Sequence, residues 1–376
     1  MSTIKRSNRF KAGLLCACMI LLTGCWDSLD IEQKDIHITE TIDFKDNEYY
    51  FYSEVANLTG QSQSGNKSDP NSKSKSVEII SAHGDSFVQA RNNLERKSSK
   101  TVYLGASRLL IFTHRLADKS FEEYLNRSRL QNDTRKSLKV VTTSTEPETL
   151  LKSTPDNSFS VGFAIDAILD ELIKDGTAVS VDIGNVLEIL AVKKAGFLIP
   201  EVNLEEGQAT VAGYAVFKDA KILGVIPVKE SRGILWFLNP KASSVCEVSV
   251  DGEKYILDVY LKHKKIQPIY EDGKLTLQIS MEFTAEVSYS DKAFLLSAEQ
   301  AQNIQAALEE ETKRDILQTL ATSQKEYEND YLGIYRYFRT RYNSAFQTMD
   351  WQKLYAQADV TAETKVNIVS SKLPQK

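Results

Sequence analysis

Side chains able to make or break bonds are present in this chain but are not assembled into a catalytic pattern. The four histidines, His37, His83, His114 and His263, stand singly. None has the HExxH, HxH or Cys-His spacing that brings two ligands onto one metal ion, so each reads as an ordinary strand or loop histidine. No GxSxG turn or SxxK pair is present to activate a serine. Gly60 to Ser68 reads G-Q-S-Q-S-G-N-K-S, one residue away from the phosphate-cradling G-x4-G-K-S, because Asn66 separates Gly65 from Lys67. No buried strand-to-helix turn frames that stretch and its composition is that of a mobile linker, so phosphate binding is not expected. Asp166 and Asp170 lie one helical turn apart beside the stripe of Ile165 and Leu169. They read as a solvated helix face rather than an acid–base pair.

Cys25 is the residue whose surroundings specify a reaction. Lys5, Arg6, Arg9 and Lys11 form a positive start with no acid before Asp27. Ala12 to Thr23 is apolar but much shorter than the roughly 20 residues needed to span a bilayer. That combination is a signal peptide. Leu22-Thr23-Gly24-Cys25 resembles a lipobox, in which the thiol takes diacylglycerol before cleavage between Gly24 and Cys25. One acyl chain holds a protein marginally and two hold it stably. The expectation is an extracytoplasmic body anchored to a membrane through covalent lipid on Cys25, with no other cofactor and no metal.

The 376 residues suffice for two or three domains. Apolar content of 42% and charged content of 26% are those of a globular body with its own core. Formal net charge is −5, and losing the four cations of the signal region takes it to −9. An acidic body argues against nucleic acid and against binding anionic lipid through its whole surface. Cys16 and Cys18 leave with the signal peptide and Cys25 would be acylated, so Cys246 has no partner for an internal disulfide. It reads as a small buried hydrophobe in a strand.

The elements read in order as follows. Ile36 to Leu58 alternates as two strands around Lys45-Asp46-Asn47, and Thr59 to Ser76 is a polar surface loop. Val77 to Ile80 is a strand, and Asp85 caps a helix that carries Phe87, Ala90 and Leu94. Leu109–Phe112 and Lys139–Thr143 are strands, Phe121–Leu130 a helix, and Pro147 opens a short helix ending near Lys152. Ile165, Ile168, Leu169, Leu172 and Ile173 mark an amphipathic helix stopped by Gly176, and a second helix covers Val186–Ala191. Pro200 to Gly207 is a polar joint. Beyond it come a hairpin, Val211–Phe217 and Ile222–Ile226, and a helical segment, Lys229–Phe237. Val245–Val250, Tyr255–His263 and Leu275–Tyr289 are strands, the last two turning at Asp272-Gly273. Ser297 and Gln300 form a capping box for the longest helix, whose apolar face runs through Ile304, Ala307, Leu308, Ile316 and Leu320 toward Ile334 and Tyr337. The aromatic cluster Tyr331, Tyr335, Tyr337, Phe338 and Tyr342 is a core-packing face, with an interface as the alternative. Trp351 to Ser370 returns to a strand. The fold class is α+β and multidomain, with mixed or antiparallel sheets, packed helices and a long amphipathic helix in the C-terminal domain. The expected divisions are 1–24 signal peptide, 25–203 N-terminal region, open to being two subdomains, and 204–376 C-terminal domain.

Several of these segments together resemble the C-subunit lipoproteins of spore germinant receptors, the Ger(x)C family. Gly24-Cys25-Trp26-Asp27 is similar to the family's start. The central block is Val211-Ala212-Gly213-Tyr214-Ala215-Val216-Phe217-Lys218-Asp219, then Lys221-Ile222-Leu223-Gly224, then Glu230-Ser231-Arg232-Gly233-Ile234-Leu235-Trp236. Gly105 to Phe112, Asp330-Tyr331-Leu332-Gly333 and Trp351 are weaker echoes. The chain departs from the family in the long loop Thr59–Ser76 and in a tail, Val369-Ser370-Ser371, without the usual glycine. The resemblance implies a non-enzymatic receptor subunit of the spore inner membrane with A and B membrane subunits as partners. It also implies structural or partner-contact roles for Trp26, Gly213, Phe217, Gly224, Arg232, Gly233, Trp236, Asp330 and Gly333. The alternative is a solute-binding lipoprotein of an ABC-type importer, which needs two βαβ lobes around a cleft. An exported hydrolase would need a catalytic pair that the residues do not supply.

Overall fold

A computed structural model describes residues 31–57, 77–130, 135–153, 158–290 and 296–369. Gly24, Cys25, Trp26, the Gly60–Ser68 stretch with its surrounding loop, and the tail beyond Val369 lie outside those residues.

Two sheets organise the chain. β1 (Lys34–Lys45) and β2 (Glu48–Ala56) meet at Asp46-Asn47, both with positive φ, 53° and 61°. Such a two-residue turn matches the twist of the strands it joins. β3 (Val77–Gly84) follows, then α1 (Phe87–Glu95). Ser86, not Asp85, caps α1 by accepting from the Gln89 N–H. The hydroxyl one residue later reaches the orphan N3 amide. The expected inward set Phe87, Ala90 and Leu94 is buried.

Next come β4 (Thr101–Tyr103), β5 (Leu109–Thr113), α2 (His114–Lys119), α3 (Glu122–Leu130), β6 (Lys139–Thr143) and α4 (Pro147–Lys152). α5 (Val161–Lys174), α6 (Ile183–Val192), β7 (Phe197–Glu205), β8 (Gln208–Lys218) and β9 (Lys221–Pro227) complete the first half. The strand order is β3-β2-β1-β5-β6-β7-β8-β9, with β4 beside β1. β1, β5, β6 and β7 run parallel in the middle, flanked by antiparallel hairpins. One face buries Ile42, Phe112, Phe197 and Phe217 beneath α1, α2, α3 and α6. The other packs Ile111, Val141 and Val202 against Val161, Ile165 and Leu169 of α5.

The stretch expected to be a joint, Pro200 to Gly207, is mostly strand. Pro200 sits inside β7, where the ladder to β6 consists of Thr142 opposite Glu201, so the missing N–H breaks no inner rung. The turn itself is Glu206-Gly207. The β8–β9 hairpin, placed from sequence beyond a 203/204 division, therefore completes the first sheet.

α7 (Arg232–Leu238) leads to β10 (Ser243–Val250), β11 (Glu253–Glu271) and β12 (Lys274–Ser290). β11 runs eight residues past its expected end at His263. β10 pairs β11 as far as Tyr260, so Pro268 lies on an edge that tolerates it. α8 (Ala298–Ala321) opens with the expected capping box and buries Ile304, Leu308, Ile316 and Leu320. Its face does not continue to Ile334. A π-helical turn, Thr322–Glu326, ends it, and Gly333 at φ +73° starts a separate helix, α9 (Ile334–Arg341). α10 (Asn343–Thr348) and α11 (Trp351–Ala356) come before β13 (Asp359–Ile368), which pairs parallel to β12. Trp351 thus begins a helix rather than a strand, because the Asp350 side chain caps the Lys353 N–H. Tyr331, Tyr335 and Phe338 are buried among Phe346 and Trp351, whereas Tyr337 is 36% exposed. Among the described residues no helix is long and apolar enough to cross a membrane.

One core joins the sheets. Leu198, Tyr214, Val216 and Ile226 of the first pack with Trp236, Leu257 and Phe283 of the second half.

Candidate functional site

Among the described residues, Gly224, Arg232, Gly233, Trp236, Asp330 and Gly333 lie at the seam between the two sheets, and three of the singled-out glycines work by having no side chain. A Cβ on Gly213 would lie 2.2 Å from the Ile226 carbonyl oxygen on the neighbouring strand. On Gly224 it would meet the Tyr327 hydroxyl at 2.8 Å, and on Gly233 the Thr319 Oγ1 at 2.0 Å and the Asp315 carbonyl at 2.6 Å. Glycine at 233 is what lets α7 press its backbone onto α8. Beside it Arg232 forks onto Asp315, with Nε to Oδ2 at 2.6 Å and Nη2 to Oδ1 at 2.9 Å, and also binds Glu311. A planar guanidinium matches a carboxylate in this two-point way, so the pair fixes orientation as well as charge. Trp236, on the same helix, is fully buried edge-on to Phe283 at 5.0 Å. Among the described residues its indole N–H has no hydrogen-bond partner.

Asp330 anchors the other side of the seam. Its buried carboxylate accepts from Ile334 N at 3.0 Å, Tyr335 N at 2.7 Å and Trp351 Nε1 at 3.0 Å. Gly333 makes the left-handed turn that aims the first amides of α9 at that carboxylate. Burial pushes the Asp330 carboxyl up to about 6, against the opposing pull of those donors. Asn329 next to it donates to the Phe217 carbonyl at 3.0 Å, and the Asp330 carbonyl accepts from Gly196 N at 3.1 Å. The Phe217 ring stacks on Phe197 at 5.2 Å. A cleft of about 390 Å³ opens beside these contacts, with Arg232, Thr319, Tyr327 and Tyr331 in its lining and Val228 and Val245 exposed in its wall.

This arrangement can hold two sheets in register; it does not supply a reaction. Among the described residues no group of three potential ligands could hold a metal ion. Cys246 is buried and its thiol is pushed up to about 11, chiefly by burial, so it is inert. His37 is buried against Ser53 at 2.7 Å and lowered to about 4 by burial and then by Arg91. His83 pairs with Glu48 at 2.7 Å, His114 with Glu201 at 2.9 Å, and His263 is exposed. Asp166 departs from its sequence reading. It is largely buried and, with Asp170, binds the Lys139 ammonium, because β6 carries that cation under α5.

Sequence reasoning missed the buried acids of the first sheet. Glu54 accepts from Val161 N and Gly162 N, both at 2.9 Å, and so caps α5 from another strand. Asp43 binds Arg115 at 2.6 Å. Val161, Gly162 and Arg115 lie 72 or more residues away from these acids along the chain, and no local spacing announces the pairings.

Comparison with known proteins agrees with the geometry. Residues 27–204 match the model of the spore germination protein N-terminal domain, and residues 212–372 match that of the spore germination B3/GerAC-like C-terminal region. Spore germination protein B3 of Bacillus subtilis (strain 168) is 21% identical over 378 residues, covering 96% of this chain and 97% of its own. Spore germination protein A3 of the same organism is 23% identical over 283 residues, 74% of each chain. The crystal structure of the GerBC protein shares the fold, with a TM-score of 0.58 at 16% identity over 88% of this chain and 96% of that one. The chain belongs to the spore germination B3/GerAC-like family, whose members are non-enzymatic components of spore germination.

Proposed function

We propose that this chain is the C subunit of a nutrient germinant receptor, held by acyl lipid on Cys25 at the outer face of the spore inner membrane. Its work there is contact with the A and B membrane subunits. The observation that carries this reading is the order of the family matches, which begin two residues after Cys25 and continue to residue 372. A positive start, a short apolar run and Leu22-Thr23-Gly24-Cys25 supply the anchor. A solute-binding lipoprotein would instead need two lobes parted by a cleft, and here the two sheets share one core.

Cys25→Ala tests the reading. The variant should lose its lipid by mass spectrometry, leave the membrane fraction on washing with about 1 M salt, and impair germination through this receptor. Retention in the membrane with normal germination would overturn it. A large rise in melting temperature with free amino acids or sugars would favour the importer reading, since a ligand raises stability by binding the native state.

A further inference from the structure

The acidic body carries a groove with the opposite charge. It lies between α9 and the outer half of β11, has a volume of about 700 Å³, and is lined by Lys264, Lys265, Arg336 and Arg341 with no carboxylate among its lining residues. Lys262 and Arg339 are exposed on the same two elements. Tyr337, 36% exposed, supplies apolar surface between the cations. Lys264 is half-buried, and its ammonium donates to the carbonyls that end α7, including Trp236 at 3.2 Å. Among the described residues it has no carboxylate partner, and burial lowers it to about 8. Acids near the groove are Glu188, which reaches Arg336 at 3.5 Å, the buried Asp330, whose charge also acts on Arg336, and Glu282, opposite His263 in the ladder.

The groove lies toward the end of the first sheet at which the described chain begins. β1, β5, β6 and β7 are parallel, so the chain enters β1 at the same end of the sheet at which it enters β7. Just before β7, Gly196 binds Asp330, and the Lys194 ammonium is held by the carbonyls of Phe346, Gln347 and Met349. The segment bearing α9 therefore sits at the end of the first sheet where the chain enters β1. Six residue steps separate Cys25 from Ile31, a reach of at most about 20 Å.

We infer that this groove is the surface the body lays against anionic phospholipid headgroups, which rests on the lipid-anchor reading above. The acyl chains bring the body to the bilayer, and the Lys and Arg cluster with Tyr337 at headgroup level fixes which face looks down. Net charge makes the body as a whole repel anionic lipid, but this groove does not.

The test uses the mature chain, residues 25–376, carrying Cys25→Ser, so that no acyl chain contributes. Flotation with vesicles of phosphatidylcholine plus phosphatidylglycerol should recover the protein, and pure phosphatidylcholine vesicles should not. Binding should vanish at about 1 M salt, where the Debye length is about 3 Å. Lys265→Ala with Arg341→Ala should weaken partitioning about 25-fold, about fivefold per cation. Lys152→Ala with Lys174→Ala, on α4 and α5, should leave it unchanged. Equal recovery on both vesicle types, or no loss in the groove variant, would overturn the proposal. So would capture by a polyglutamate peptide without any preference for anionic vesicles, which would make the groove a site for an acidic protein segment. Failure here leaves the anchor reading intact, because acylated wild-type protein would still float with neutral vesicles.

Discussion

Asp330 and His37 are buried ionisable groups whose protonation works in opposite directions. The Asp330 carboxyl is pushed from 3.8 to about 6 by burial, so the folded state holds its proton more tightly than the unfolded chain does. Its contribution to stability is fully present below pH 3.8 and is lost as pH rises through 6. His37 is lowered from 6.5 to about 4, so its contribution is present above 6.5 and is lost as pH falls toward 4. Each shift amounts to about 3 kcal/mol at 1.36 kcal/mol per unit. The two slopes should largely cancel in the wild type between pH 4 and 6.5. Asp330→Asn should unmask a stability that rises with pH, and His37→Phe one that falls. In His37→Phe, Ser53 keeps its bond to the Thr39 carbonyl at 3.0 Å. Denaturant unfolding across that range is the measurement, and parallel curves for the three proteins would refute the assignment. The burial of neither group was legible in the sequence. His37 looks like any strand histidine, and Asp330 stood out through its neighbours Tyr331, Leu332 and Gly333, not through a signal of burial.

Among the elements, the pairing of α7 with α8 depends on one glycine. An alanine at 233 would bring Cβ within 2.6 Å of the Asp315 carbonyl, a backbone atom that cannot swing away, and within 2.0 Å of Thr319 Oγ1. Overpacking of this kind costs about 1–3 kcal/mol. Gly233→Ala should therefore lower the melting temperature by several degrees, and Thr319→Ser should not rescue it, because the backbone clash remains. A Gly233→Ala protein as stable as wild type would mean that the helices are not in contact here. Elements such as α8 were readable because the Ser297–Gln300 box and the buried stripe from Ile304 to Leu320 are local signals. Turns at Asp46-Asn47 and Asp272-Gly273 were readable for the same reason: their residue types accept positive φ. The break after Ala321 was not, since the apolar period continues while Ser323 and Gln324 are drawn into bonds with Tyr355 and Ala358. Tertiary partners decide such an ending, and they are far away in sequence.

At the scale of the whole molecule, the two halves are joined through the hairpin that follows residue 203. A polar run around Glu205-Glu206-Gly207 looks like a linker, yet it is the tip of a hairpin whose second strand, β8, sends Tyr214 and Val216 into the core of the other sheet and Phe217 into its own. Period-two alternation shows that such a strand has two faces; it cannot show that each face meets a different core. Asn329 bridges the same seam, donating to Phe217 and accepting from Gln352 Nε2 at 3.1 Å, in space left by the missing side chain of Gly196. Two sheets sharing a core and a buried amide should unfold together. Trp236 and Trp351 report on the second sheet's core, so their fluorescence should change at the same denaturant concentration as the far-ultraviolet dichroism of the whole chain. Asn329→Ala leaves the Phe217 carbonyl without its side-chain donor, at a cost of about 1–3 kcal/mol. It should shift both transitions to lower denaturant by the same amount. Separate midpoints in the wild type, or an Asn329→Ala shift confined to the tryptophan signal, would show that the sheets are independent units and that the seam does not transmit load from one to the other.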